Sequence, residues 1–190
     1  VVVPSNPADA KGLMTSAIRD DNPVVYMFHK GVMGLPWMAK NPRSTGDVPD
    51  GSYTVPIGEA KVVRPGTDAT VVTLSLSVHH ALDVAETLAA QGVEVEVIDL
   101  RSLVPLDRGT ILESVSRTGR LVVVDEDYQS FGLSGEIAAT ITDVDPGMLR
   151  APIVRVANPD VPVPYARSLE YAVLPRQERI EAAIQRVVYR

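Results

Sequence analysis

From about Ile57 to Arg190, short apolar runs alternate with segments in which apolar residues recur every three or four positions, and Gly, Pro or Asp marks each junction. That alternation predicts an α/β unit with a mostly parallel sheet. The predicted strands are Ala60 to Val63, Ala69 to Ser75, Val93 to Leu100, Arg120 to Asp125 and Ile153 to Ala157. Most have Val-rich cores, as strands covered on both faces do. Phase gives the helices: Val78, Leu82, Ala85, Leu88 and Ala89 form one stripe, closed by Gly92. Asp107 is an N-cap for a helix through Ile111 and Val115 that stops at Gly119, and Leu133, Ile137 and Ile141 make a third stripe. A last helix starts near Pro175 and buries Ile180, Ile184 and Val187, with Arg179, Glu181 and Arg186 left in water.

Residues 1–30 read as a separate strand, helix and strand. Val1 to Val3 runs into a turn at Pro4, Ser5 or Asn6 caps a helix with Pro7 in its first turn, and Leu13, Ala17 and Ile18 give the helix its apolar face. Asp20, Asp21, Asn22 and Pro23 end it, and Val24 to Phe28 makes the next strand. Periodicity is lost from Gly31 to Ser52, a stretch rich in Gly and Pro, so residues 31–56 form a linker or long ordered loop and 57–190 the larger domain.

Composition narrows the class. The chain has 190 residues, 45% hydrophobic and 22% charged, with a net charge of −6 and no cysteine. A real core is affordable, and no apolar run reaches the ~18 residues of a membrane span. Disulfides, thiolate nucleophiles and Cys-ligated zinc are excluded, and the acidity argues against nucleic acid as a partner. The opening Val1-Val2-Val3-Pro4 begins like the start of a buried strand, which reads as part of a longer protein.

Candidate chemistry is sparse. The histidines are His29, His79 and His80; the adjacent pair sits at a helix start beside the sheet edge, but neighbours ~100° apart on a helix cannot chelate one metal together. Asp125, Glu126 and Asp127 follow a buried strand and emerge at its carboxyl end, where either a divalent metal site or a solvated strand end fits. Ser130-Phe131-Gly132-Leu133-Ser134-Gly135-Glu136 leads into a helix N-terminus that could hold an anion, though glycines for close packing explain it equally simply. No nucleophile elbow, HExxH or kinase signature is present. At Ala17-Ile18-Arg19-Asp20-Asp21-Asn22-Pro23, the last helix carbonyls and an Asn oxygen could ring a cation, and ordinary C-capping is the simpler alternative.

Several stretches together resemble a known family. Val1-Val2-Val3-Pro4-Ser5-Asn6-Pro7-Ala8-Asp9-Ala10-Lys11-Gly12-Leu13, Asp20-Asp21-Asn22-Pro23, Tyr53-Thr54-Val55-Pro56-Ile57-Gly58, Val97-Ile98-Asp99-Leu100-Arg101-Ser102-Leu103-Val104-Pro105-Leu106-Asp107, Thr118-Gly119-Arg120 and Pro162-Val163-Pro164-Tyr165-Ala166 resemble the beta subunit of thiamine-diphosphate-dependent 2-oxoacid dehydrogenases of the pyruvate, branched-chain and acetoin types. The resemblance implies a three-layer α/β/α transketolase C-terminal-like domain with a five-stranded mixed, mostly parallel sheet, its first strand antiparallel. Residues 1–30 become the tail of a pyrimidine-binding domain. The resemblance also implies thiamine diphosphate with Mg2+ in the whole enzyme but not in this segment, since the family's catalytic glutamate and histidine lie upstream of Val1; no catalytic or cofactor-binding residue is carried over. It implies a potassium ion held by backbone oxygens of Ala17, Ile18 and Asp20 and by the Asn22 side chain, with one further ligand from the upstream segment. Phe28-His29-Lys30 departs from the family's Glu-Pro-Lys, Ser75 or Ser77 stands near a family glycine, and the loop with Trp37 is lineage-specific.

The resulting expectation is the C-terminal part of a decarboxylating dehydrogenase component. Its role would be assembly with an alpha subunit and a second beta subunit, and docking of the dihydrolipoyl acyltransferase's subunit-binding domain, in the bacterial cytoplasm. A stand-alone module binding an anion or partner, and a piece of another transketolase-like enzyme, are the alternatives.

Overall fold

A computed structural model of the chain describes residues 1–34 and 44–189. Trp37 and part of the predicted 31–56 linker lie outside the described residues.

A helix α1 (Pro7–Arg19) and a single turn α2 (Lys30–Met33) come first. Then follow β1 (Lys61–Arg64), β2 (Ala69–Thr73), α3 (Leu76–Ala89), β3 (Val95–Asp99), α4 (Arg108–Thr118), β4 (Leu121–Tyr128), α5 (Leu133–Val144), β5 (Val154–Asn158), α6 (Arg167–Val173) and α7 (Gln177–Val188). The five strands lie in the order β1-β3-β2-β4-β5, with β1 antiparallel to β3 and the other pairs parallel. The mixed sheet with an antiparallel first strand is therefore as expected. β2 and β3 are buried along their whole length, because helices cover both faces. One core joins α3 and α7 to the sheet through Ala81, Leu88, Val97, Val124, Ile180 and Ile184. The opposite core joins α4 and α5 through Ile98, Ile111, Val115, Val123, Ile137 and Ile141. Here the predicted stripes and the buried faces coincide.

The boundaries moved where tertiary contacts outweigh local pattern. β4 runs to Tyr128, three residues past its predicted end, because Tyr128 pairs with Asn158 after a register irregularity. The helix α6 has no buried residue and left no apolar stripe to read. Gly119 ends α4 with φ +68, and Arg150 packs so closely that any side chain there would collide.

The N-terminal unit differs more. Asn6 caps α1 by accepting the Asp9 N–H at 2.9 Å, as the Asn6 alternative required. Leu13 is fully buried, but Ile18 is 77% exposed and Ala17 only half-buried, so the expected apolar face narrows to Gly12 and Leu13. Val1 to Val3 and Val24 to Phe28 form no regular strands; single bridges join Val2 to Tyr26 and to Ser102.

Leu13→Ala should lower stability by about 2–5 kcal/mol by opening a cavity, whereas Ile18→Ser should change it by less than about 0.5 kcal/mol. Denaturant melts measure both, and equal losses would contradict the one-sided burial of α1.

Candidate functional site

Two arrangements concentrate buried polar groups. The first is the seam between residues 1–30 and the segment after β3. The Val2 N–H donates to Val25 at 2.9 Å and the Met27 N–H to Val2 at 2.9 Å; the Val3 N–H reaches Arg101 at 2.8 Å and the Leu103 N–H reaches Val1 at 2.9 Å. Side chains lock the seam. Ser5 donates to Asp99 Oδ2 at 2.5 Å, and His79 Nε2–H donates to the Ser5 carbonyl at 2.7 Å. Arg101 clamps Asp9 through Nη2 at 2.6 Å and Nε at 3.1 Å, and Asn6 adds a bond to Asp9 at 2.6 Å. Burial pushes the Asp99 carboxyl up to about 6, against the stabilising bonds from Ser5 and the Arg101 N–H.

The second arrangement lies at the carboxyl edge of the sheet. His29 and Glu126, 97 positions apart, meet at 2.6 Å between Nε2 and Oε2. Because His29 Nδ1 accepts the Gly31 N–H at 3.0 Å, the ring proton sits on Nε2 and is donated to Glu126. Beside this pair, Asp125 is only 5% exposed; its Oδ1 accepts the Asp127 N–H at 3.1 Å and its Oδ2 has no partner among the described residues. Burial, with the charges of Asp127 and Glu126 adding, raises the Asp125 carboxyl above its ordinary range. Burial pushes His80 down, partly opposed by Glu126 and Asp83. A cleft of about 330 Å3 opens here, walled by Val3, Met27, Phe28, Leu74, Leu103 and Leu133, with Ser75, His29 and the three carboxylate residues completing its lining.

The structure separates His79, which serves the seam, from half-buried His80, in line with the argument against joint chelation. Among the described residues no three His, Cys, Asp or Glu side chains group to hold a metal, so Asp125, Glu126 and Asp127 form no such site. Gly132 is needed for packing, since a side chain there would strike the Tyr128 carbonyl. Sequence reasoning gave His29 no role; its departure from the family's usual residues was the only available signal.

The turn after α1 is exposed. Asn22 donates from its backbone N–H at 2.8 Å and from Nδ2 at 3.1 Å to Asp20 Oδ1, and these bonds hold the Asp20 carboxyl below its ordinary range. The carbonyls of Ala17, Ile18 and Asp20 accept no hydrogen bond from any described residue. They are neutral oxygens at the negative end of a helix, the donor type that hard monovalent cations take.

The chain matches known proteins in both sequence and fold. Residues 58–180 match the model of the family described as transketolase, C-terminal domain, and the chain belongs to that family. It is 45% identical over 188 residues to the acetoin:2,6-dichlorophenolindophenol oxidoreductase subunit beta of Cupriavidus necator, covering 99% of this chain and 53% of that one. It is 41% identical to the 2-oxoisovalerate dehydrogenase subunit beta of Bacillus subtilis, over 97% of this chain and 54% of the other. It is 43% identical to the mitochondrial pyruvate dehydrogenase E1 component subunit beta-1 of Arabidopsis thaliana, over 100% and 51%. The chain thus spans about half the length of these relatives. A solved structure titled split gene transketolase, inactive beta4 tetramer, superposes with a TM-score of 0.78 at 25% identity, covering 99% of this chain and 56% of that one.

The seam makes stability pH-dependent in a defined direction. Asp99 binds its proton more tightly folded, at about 6, than at its ordinary 3.8, so the native state holds the extra proton between those values and stability falls as pH rises through that window. The full effect is on the order of 3 kcal/mol. Asp99→Asn, which cannot ionise, should flatten that part of the stability profile relative to the native chain; parallel profiles from pH 4 to 7 would overturn the assignment.

Proposed function

We propose that the chain is the C-terminal part of the beta subunit of a thiamine-diphosphate-dependent 2-oxoacid or acetoin dehydrogenase. The observation that carries this reading is identity of 41–45% running through essentially the whole chain to three such beta subunits. With a 2-oxoacid as substrate, the whole enzyme would decarboxylate it and pass the acyl group to a lipoyl carrier. This part would serve assembly with an alpha subunit and a second beta subunit in a heterotetramer, and docking of the acyltransferase's subunit-binding domain. A net charge of −6 suits a basic partner. Among the described residues no helix is long and apolar enough to cross a membrane, and the cytoplasm is the proposed location.

Thiamine diphosphate and its Mg2+ would be held by other segments of the whole protein. The turn after α1 does fit a potassium ion, held by the Ala17, Ile18 and Asp20 carbonyls and the Asn22 side chain; it would tie the end of α1 to whatever supplies the remaining ligand.

Co-expression of the whole protein with its alpha subunit should give thiamine-diphosphate-dependent turnover of pyruvate, 2-oxoisovalerate or acetoin, read by dye reduction; no turnover of any of them would sink the reading. Calorimetry on residues 1–190 should show no thiamine diphosphate binding, and micromolar or tighter binding would contradict the division of labour. In 0.1 M potassium chloride, against the same concentration of tetramethylammonium chloride, thermal unfolding should be stabilised by about 1 kcal/mol if the ion is held several-fold above its Kd, and Asn22→Ala should remove the shift. Identical curves in the two salts would count against the ion.

A further inference from the structure

The seven-residue helix α6 buries none of its side chains, although a helix of that length is marginal in water unless something packs on it. Arginines hold it in place. Arg179 Nη1 donates to the Val173 and Leu174 carbonyls at 2.7 and 3.0 Å, which satisfies the last turn, and Arg176 stacks over the Tyr171 ring at 4.3 Å. Arg167 lies 5.4 Å from the same ring, and its Nε donates to the Tyr171 hydroxyl at 3.0 Å. The loop that leads into α6 is tied down as well. Ser130 donates to Asp160 from Oγ at 2.6 Å and from its N–H at 3.2 Å, which joins the segment carrying fully exposed Phe131 to the one carrying Val161.

This anchored stretch shows apolar side chains to solvent. Val161, Val163, Tyr165, Leu169 and Tyr171 are all exposed within eleven positions, and no other stretch of that length among the described residues exposes as many large apolar side chains. Exposed apolar clusters that include Tyr and Arg mark protein–protein contacts. Charge narrows the partner. The shared ring keeps Arg167 and Arg176 within about 10 Å of each other, one screening length in 0.1 M salt, so the two cations act as one patch. Arg64, Arg101, Arg108 and Arg117 each meet a carboxylate, whereas Arg167 and Arg176 meet none among the described residues, Glu170 of α6 and Glu178 of α7 included. Facing carboxylates are left for a partner to supply. A basic docking domain would be repelled here, and a second copy meeting this patch across a twofold axis would set arginine against arginine.

We propose that α6 and the loop before it form the contact surface for the alpha subunit, which presents carboxylates to Arg167 and Arg176 and an apolar seat to Tyr165 and Leu169. The assignment rests on the reading of the chain as part of a beta subunit. Burial in that contact gives α6 the packing it lacks alone.

The test uses the whole protein co-expressed with its alpha subunit, and reads the dissociation constant of the two subunits by sedimentation velocity on dilution. Arg167→Glu should raise that constant at least tenfold at about 0.05 M sodium chloride. Native affinity should fall as the salt rises to about 0.5 M, and the variant's should fall less, because its attractive charge is already gone. Should Arg167→Glu not fold, Tyr165→Asp, at a fully exposed ring, should give at least the same tenfold loss. Arg186→Glu, the same charge change at an exposed position on α7 away from the patch, should leave the affinity unchanged. Native affinity in the folded variants would overturn this surface alone, as would an equal loss from Arg186→Glu, which would reduce the effect to net charge. Native chains that do not assemble with the alpha subunit would overturn the surface and the beta-subunit reading together.

Discussion

The clamp of Arg101 on Asp9, beside the Ser5 bond to Asp99, is the contact on which the arrangement of the two units depends. Asp99 ends β3, the second strand of the sheet, and Arg101, two residues later, adopts φ +55. That turn points the next backbone groups away from the sheet, where they pair with Val1 to Val3 instead of with another strand. A bidentate guanidinium pair, 12% and 5% exposed, persists at such burial only with both partners present; losing either leaves a charge with nothing to face. Asn6 Nδ2 donates to Asp9 Oδ2 while the Asp9 N–H donates to Asn6 Oδ1, so the capping residue of α1 and the clamp share one carboxylate. Helix start, seam and sheet end are thus one network.

The sheet-and-helix domain was largely legible in the sequence because most of its elements, α6 excepted, are decided by their own periodicity. Burial on both faces demands Val-rich strands, and helices on one side only demand stripes; both are local signals. Residues 1–30 obeyed a different rule. Ile18 looked like core because it follows Ala17, one helical turn on from Leu13, but the buried residues of α1 are only Asp9, Gly12 and Leu13, and pattern cannot report how much of a face is covered. The strands expected at Val1 and Val24 reduce to single bridges for a related reason: the chain supplies one short partner on each side of Val2 and no third strand to extend the ladder.

The candidate site was legible only in pieces. Asp125, Glu126 and Asp127 were placed correctly at a strand end by the rule that α/β chemistry gathers there. Their character was not: a metal site needs side chains converging on one point, and in an extended chain successive side chains diverge to opposite faces. β4 continues through these residues, so Asp125 turns into the core and Glu126 toward His29. The His29 contact spans the chain from the N-terminal unit to β4, and no spacing rule reaches that far.

That same divergence explains why Asp125 Oδ2 has no partner among the described residues. Asp125 alternates inward and loses its water, and the irregularity between Val124 and Tyr128 removes the regular ladder just where it could have brought a partner strand alongside. His29, which lines the same cleft, is already engaged through both ring nitrogens, to Glu126 and to the Gly31 N–H. Burial therefore raises the carboxyl's affinity for a proton, and a proton taken up there removes the charge that burial disfavours.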